Sequence, residues 1–558
     1  MSLYEYQPLE HWDSVRLVIL HPAAQSSDPI RCSLQHARLT ENPKYEAISY
    51  TWGNTSAPRS LYVGGKDDFL KSTKNCSNAL RALRLVDGDR VVWIDAVCIN
   101  QADTSERGHQ VKSMNMIYEM ASTVVIYLGE DTRGSRRLFK ELATREMELS
   151  ETGKCSRQPP SDFIVSELEI LIERPWFRRI WVLQEVSGNT SLTVMCGSVQ
   201  TSLEILEACL HGYQGHRVIE DSVPLPILLW SRQKLKVEEH LDAPRRLWHQ
   251  IISSRRFLAT DPRDKIFALR SLLPKAQRNS MDHLIDYDAT KEQTFIKTVL
   301  FLLPSIGLHL LTANRHPHDL HMPSWIPDLS QSSPLDSWSP YKSISQIPAS
   351  FTVVSPNIGE NQLRLHVKGL SYATIRKTSR PWKFRDMIDT ERQMIEFFNT
   401  LPTLAQLIYA SPDDNNEYGS YHCDTELLQA LILEAREDAR AFGWDLQRGY
   451  CRGYQQHSRS ATISPREFHE SLAECRIVLT DTFELAIAPA AARIGDTVCV
   501  FQHGHSPCLL RRHEDQLWKM ISGDFYAFRR VAQERGAEFP YLKYCMRRAA
   551  EMETFEIC

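Results

Sequence analysis

VVWIDAVCINQADTSERGHQVKSMNMIYEMASTVVIYLG, Val91 to Gly129, decides the fold of this chain. Its two ends, Val91 to Ile94 and Thr123 to Leu128, are short apolar runs rich in β-branched and aromatic residues, the composition of buried strands. Between them Val111, Met114, Ile117, Tyr118 and Ala121 recur at three- and four-residue spacing, which places them on one face of a helix. Asp103 with Glu106 three residues later gives that helix a capping-box start, because a short acceptor side chain can take a free N–H of the first turn. Strand, helix and strand in this order predict a βαβ unit with parallel strands and a right-handed crossover. Ligands of open α/β sheets bind in the loops beyond the carboxyl ends of the strands. Here those loops carry Asp95, Cys98, Asn100 and Gln101, then Gly129 and Glu130.

Toward the amino terminus, Leu17 to Leu20 and Tyr45 to Tyr50 read as strands. The second runs into Thr51-Trp52-Gly53-Asn54, a turn signal. Lys71 to Leu85 comes next as a helix with Leu80 and Leu83 inward, closed by Asp87-Gly88, so a second βαβ unit precedes the first. On the other side, Ser150 to Ser161 is a polar loop and Phe163 to Ile172 an amphipathic helix. Within Arg174 to Asn189, RPWFRRIWVLQEVSGN, Ile180 to Leu183 is expected as a fourth strand with Gln184 and Glu185 at its end, and Leu192 to Met195 adds another.

From Ser202 to Pro304 the pattern is mainly helical. Asp261-Pro262 suits an N-cap and a first-turn proline, Asp286-Tyr287-Asp288 opens another helix, and prolines hold Pro323 to Asp328 extended. Gln331 to Pro340 is a serine- and proline-rich linker. Strand-like runs fill Phe351 to Ile375, helices are expected at Asp386 to Leu407 and Thr425 to Phe442, and Arg476 to Thr480, Asp496 to Phe501 and Cys508 to Arg512 form a small sheet or barrel. The expected organisation is an α/β domain over residues 1–201, a helical region over 202–330 and a mixed α/β domain with short strands over 331–558.

A chain of 558 residues exceeds one hydrophobic core. A net charge of −4 gives no electrostatic case for nucleic acid or an acidic membrane. The amino terminus lacks the basic and apolar regions of a secretory signal. The most apolar run, Val299 to Leu311, is interrupted by Pro304, Gly307 and His309 and is too short to span a bilayer. The 13 cysteines form no C-x-x-C pair or regular framework, as suits reduced thiols in a cytoplasmic protein.

Four separated motifs, SYTWGN at Ser49 to Asn54, VVWIDAVCINQ at Val91 to Gln101, the segment from Glu106 to Gly129, and RPWFRRIWVLQEV at Arg174 to Val186, resemble the fungal heterokaryon-incompatibility (HET) domain in their order. The later TDPRDKIFALRSLLP, DYDAT, MPSWIPDLS, IGDTVCVF and PCLLRR resemble the region beyond that domain in many such proteins. More remotely the domain is similar to the Toll/interleukin-1 receptor (TIR) fold, a flavodoxin-like parallel sheet. The resemblance implies an effector of fungal non-self recognition that promotes cell death. It also leaves room for a HET-fold enzyme, either a NAD glycohydrolase with NAD as substrate or a tailoring enzyme of secondary metabolism. A third implication is a non-enzymatic adaptor acting by homotypic assembly. The expected partners are further copies of the chain, an incompatibility protein or a small-molecule substrate.

For catalysis the candidates are Asp95, Glu185 and Arg107, since a carboxylate can stabilise the oxocarbenium-like charge formed as nicotinamide leaves. The alternative is structural: Asp95 caps its loop and Glu185 pairs with Arg107 or Arg179. Trp52, Gly53, Asn100, Gln101, Gly129, Glu130 and Arg179 are candidates for substrate contact. Trp52, on a strand-end loop, is better placed to stack on a ring than Trp93, Trp176 or Trp181, which suit the core. Cys98 with His109 suggests a thiol and its base, against which the V-C-I context points to a buried cysteine. His316, His318, Asp319 and His321 lack the helical spacing of metal ligands, and His503 with His505 read as solvated too. Arg255-Arg256 and Arg511-Arg512 read as exposed or ion-paired.

Overall fold

The computed structural model describes residues 2–54, 56–64, 68–152, 162–188, 191–212, 241–255, 257–313, 321–331, 351–354, 363–378, 444–445, 450–451, 475–481, 485–502, 507–513, 515–523, 525–527 and 548–558. The expected helices at Asp386 to Leu407 and Thr425 to Phe442, most of the Gln331 to Pro340 linker, Arg256, His316, His318, Asp319, His503 and His505 lie outside the described residues. The chain divides into two units, Met1–Thr290 and Lys291–Cys558.

The first unit is built on a nine-stranded sheet. In chain order its elements are β1 (Ser14–Leu20), β2 (Arg31–Arg38), β3 (Glu46–Tyr50), β4 (Arg59–Val63), β5 (Asp68–Ser72), α1 (Lys74–Leu83), β6 (Arg90–Trp93), α2 (Asp95–Cys98), α3 (Thr104–Met120), β7 (Thr123–Tyr127), α4 (Arg133–Thr152), α5 (Asp162–Ile172), α6 (Val182–Val186), β8 (Ser191–Cys196), β9 (Val199–Ser202), α7 (Leu203–Gly212), α8 (Ala243–Ser254), α9 (Asp264–Phe267) and α10 (Lys275–Arg278). The strand order is β5-β4-β2-β1-β6-β3-β7-β8-β9. At the centre β6, β3, β7 and β8 run parallel, with Ala47 opposite both Trp93 and Val124. The β6 to β7 crossover is therefore between parallel strands, but β3 lies between them, so α3 steps over one strand. Antiparallel pairings of β1 with β6 and β2, and of β8 with β9, make the sheet mixed, not parallel throughout as the motif alone suggests.

The central strands are continuous apolar runs, buried from Ala47 to Tyr50 and from Val124 to Tyr127, as a sheet covered on both faces requires. Thr73 caps α1 by accepting from Cys76 N at 3.2 Å, and Asp103 caps α3 by accepting from Glu106 N at 3.0 Å. Glu106 does not return the bond, as a capping box would. Its carboxylate accepts from Arg16 of β1 at 2.6 and 2.9 Å and from Asn100 N at 2.7 Å.

The expected strand at Ile180 to Leu183 is a correction: a 3-10 turn at Pro175–Arg178 leads into helix α6, which carries Gln184 and Glu185. All five α6 residues are buried. A short run apolar on every side has no period to separate strand from helix. The fourth parallel strand is β8, within which Leu192 to Met195 lies. Strands β2, β4 and β5 escape the sequence because their exposed positions are polar and their apolar residues few. Helix α4 extends to Thr152, into the segment expected as loop. Asp261 does not cap a helix starting at Pro262. It accepts from Arg263 N at 3.0 Å in a turn, and α9 begins at Asp264. Asp286 likewise closes a turn, accepting from Asp288 N.

In the second unit α11 (Lys291–Ile306) passes through Pro304 into a 3-10 turn, Gly307–Ala313. The run Lys291–Ala313 is thus unbroken, and long and apolar enough to cross a membrane. Of its most apolar 18-residue stretch 67% is nonetheless buried within the protein, as in a core helix. Pro323 to Asp328 is a turn closed by Ile326 N to Pro323 O at 3.0 Å, not an extended segment. The strands are β10 (Phe351–Val354), β11 (Arg364–Thr378), β12 (Trp444–Asp445), β13 (Tyr450–Cys451), β14 (Cys475–Thr480), β15 (Leu485–Pro489), β16 (Thr497–Phe501), β17 (Cys508–Arg512), β18 (Trp518–Ser522), β19 (Tyr526–Ala527) and β20 (Glu553–Ile557). The long β11 pairs with both β20 and β16, so β11, β16, β17, β18 and β20 close a ring, from which β14, β15 and β19 continue. Val498, Leu509 and Ile521 are among its buried core.

Candidate functional site

The segment from Arg174 to Glu185 ties together the carboxyl ends of the central strands. Arg174 Nη1 donates to Leu128 O at 2.9 Å and Glu130 O at 3.0 Å, pinning the loop after β7. Trp176 Nε1 donates to Ser49 Oγ at 2.6 Å. Arg179 donates to Tyr50 O, and Ser49 Oγ donates to the Glu185 carboxylate. The separation of SYTWGN and RPWFRRIWVLQEV in sequence thus closes into one knot in space.

Arg179 Nη1 lies 3.5 Å from Glu185 Oε1, with Glu185 only 2% exposed. Burial raises the Glu185 pKa, opposed by Arg179 and the Ser49 hydroxyl. Asp95 opens α2 at the end of β6. It is half-buried, accepting from Trp52 Nε1 at 2.8 Å and from Ala96 N at 2.7 Å. Burial raises its pKa as well, opposed by Arg179 and these donors. Burial works against the charge on Arg179, but Glu185 and Asp95 outweigh it. The structure therefore brings Trp52, Asp95, Arg179 and Glu185 into one cluster: a buried acid fixed by its partners, a shared guanidinium, and a more accessible acid beside an indole.

The other candidates are dispersed. Gln101 Nε2 donates to Asp95 O at 3.1 Å, bracing α2, and Asn100 Oδ1 accepts from Ala102 N at 3.3 Å. Gly53 has φ +70°, and a Cβ there would meet Asn75 Nδ2 at 2.7 Å, so the turn requires glycine. Gly129 has φ +106° beside Arg174, and the Glu130 side chain is 69% exposed, 3.9 Å from Lys74. Arg107 is not joined to Glu185; its guanidinium stacks on Tyr287 at 4.7 Å. Cys98 and His109 are not brought together. The buried Cys98 Sγ accepts from Ile94 N at 3.4 Å with its pKa pushed up by burial, whereas the exposed His109 bonds Trp12 O at 2.6 Å. Trp93 is wholly buried against Tyr118, ring centroids 5.4 Å apart.

Residues well beyond Glu185 in sequence complete the brace. Ile180 N donates to Leu258 O at 3.0 Å, and Leu258 N donates to Arg178 O, gripping Arg179 between them. The buried Lys265 amine bonds Arg255 O and Phe257 O, and burial lowers its pKa to about 8. Asp264 Oδ2 accepts from Trp181 Nε1 at 3.0 Å and Oδ1 from Tyr287 Oη at 2.7 Å. Burial raises the Asp264 pKa from 3.8 to about 6. The folded state therefore holds this proton more tightly than the unfolded chain, and stability present in acid is lost as pH rises between about 4 and 6. The shift corresponds to about 3 kcal/mol. Denaturant titrations across that range are expected to show the decline in the wild type and a flatter profile in Asp264→Asn; parallel profiles would remove Asp264 as its source.

Residues 45–185 match a family model described as Heterokaryon incompatibility protein (HET). Heterokaryon incompatibility protein 6, OR allele, of Neurospora crassa is 27% identical over 235 residues, covering 35% of this chain and 35% of that relative. The chain thus spans about a third of the length of the curated relative it matches. No solved structure matches.

Proposed function

We propose that this chain, a HET-domain protein whose domain occupies residues 45–185, serves heterokaryon incompatibility as a cytoplasmic effector of cell death working through the Asp95, Arg179 and Glu185 cluster. The observation that carries the reading is the desolvation of two acids and one arginine together at the carboxyl ends of parallel strands. Apolar residues of similar volume often stabilise a fold as well as buried ions do, and perturbed ionisable groups gather where chemistry is done.

The half-buried Asp95 beside the Trp52 indole favours one chemistry, hydrolysis of the N-glycosidic bond of NAD. An ionised Asp95 opposes the positive charge that grows on the ribosyl carbon as nicotinamide departs. Trp52 offers a face for the ring. Water attacks the same carbon, and the products are nicotinamide, ADP-ribose and a proton. Glu185 holds Arg179, and Arg179 in turn favours the charged form of Asp95 against the burial that raises its pKa.

Induced expression in a filamentous fungus tests the reading. Wild type is expected to arrest growth and kill, and Asp95→Asn at equal protein level to be tolerated. Killing by both would assign the effect to assembly with partners; tolerance of both would remove the effector role.

A further inference from the structure

Two guanidinium groups lie over the Tyr287 ring, Arg107 at 4.7 Å and Arg263 at 5.3 Å from its centroid. The ring is fixed edge-on against Phe267 at 4.9 Å and by its hydroxyl on Asp264. The two arginines differ in how they are used. Arg263 Nε and Nη2 engage both oxygens of Asp261, and Nη1 reaches the carbonyls of Tyr287 and Ala289, so its fork is spent. Asp261 is thereby neutralised, and Asp264 is satisfied by Tyr287 and Trp181. The Arg107 side chain has no hydrogen bond or close ion pair among the described residues, although its charge acts on Asp261 and Tyr287, and its Nε is shielded from solvent without an acceptor.

We propose that Arg107 is a receptor for a phosphoryl group. Because Nε is shielded, the donors left to a ligand are the two Nη groups of Arg107, and a phosphoryl oxyanion offers two acceptors matched to that planar edge. The stacked Tyr287 holds that plane in place before the ligand arrives, which reduces the entropy lost on binding. Arg107 also lies in the first turn of the 17-residue α3, whose amino-terminal partial charge adds to its own. This site stands apart from the Asp95 cluster and does not depend on what that cluster does.

Calorimetric titration of the full chain with inorganic phosphate, ADP and acetate tests it. Wild type is expected to bind phosphate, and Arg107→Gln to lose at least about tenfold in affinity. Arg107→Lys, which keeps the charge but not the fork, should fall between them, and it carries the comparison should Arg107→Gln fail to unfold cooperatively. Tyr287→Phe keeps the ring and should keep phosphate binding. Tighter binding of ADP than phosphate would identify the source as a nucleotide, and equal binding as free phosphate. Equal phosphate affinity in wild type and Arg107→Gln, no binding at millimolar phosphate, or acetate binding as well as phosphate would each overturn the proposal.

Discussion

Arg16→Leu is expected to lower the stability of the first unit by about 3–5 kcal/mol, the cost of stranding one member of a buried ion pair. The Arg16 side chain is fully buried and that of Glu106 is 10% exposed. Besides the two contacts with Glu106, Arg16 donates to Cys98 O at 3.1 Å and Gln7 O at 2.6 Å, and its guanidinium lies 4.9 Å from the centre of the Tyr6 ring. Glu106 meanwhile holds Asn100 N. The pair thus clamps both the end of α2, the short helix that Asp95 opens, and the turn after it. Removing Arg16 leaves the Glu106 carboxylate with only Asn100 N and no counter-charge, and the Cys98 carbonyl without the Arg16 donor. Arg16→Leu combined with Glu106→Leu is expected to recover much of the loss, because no buried charge then remains. Denaturant unfolding of the two variants decides it. A single variant within about 1 kcal/mol of wild type would show the pair to be no more than a surface contact.

Periodicity decides how much of the fold is legible in the sequence. Central strands β3, β6 and β7 and helix α3 announce themselves, since runs buried on both faces and a helix with one apolar face leave distinct patterns. Helix α6 does not: with every residue buried, VLQEV reads equally well as a strand. The site is legible in composition but not in its pairings. Asp95, Trp52, Arg179 and Glu185 stand in conspicuous motifs, yet nothing in their spacing chooses Arg179 over Arg107 as the partner of Glu185. Ser49, Arg174 and Trp176 act as braces through contacts between residues far apart in sequence. The roles of Arg16, Asp264 and Tyr287 are hidden for the same reason. A lone arginine in a strand such as SVRLVIL is the one signal that points to a buried ion pair, because a charge among core residues requires a partner.

Asp95→Asn carries the other large expectation. The amide keeps the shape of the side chain and can still accept from Trp52, but it removes the negative charge that the proposed reaction places opposite the departing nicotinamide. Release is expected to fall by about a hundredfold or more, with the fold retained. Glu185→Gln differs in kind: it disturbs the bonds to Arg179 and Ser49 that hold the knot, so stability and activity decline together. The measurement to make is therefore nicotinamide release from NAD by the purified full chain, wild type against Asp95→Asn. Turnover by the wild type that collapses in a folded Asp95→Asn protein is the expected result; a variant as fast as wild type, or a folded wild type that releases none, would contradict Asp95 as the working acid of this site.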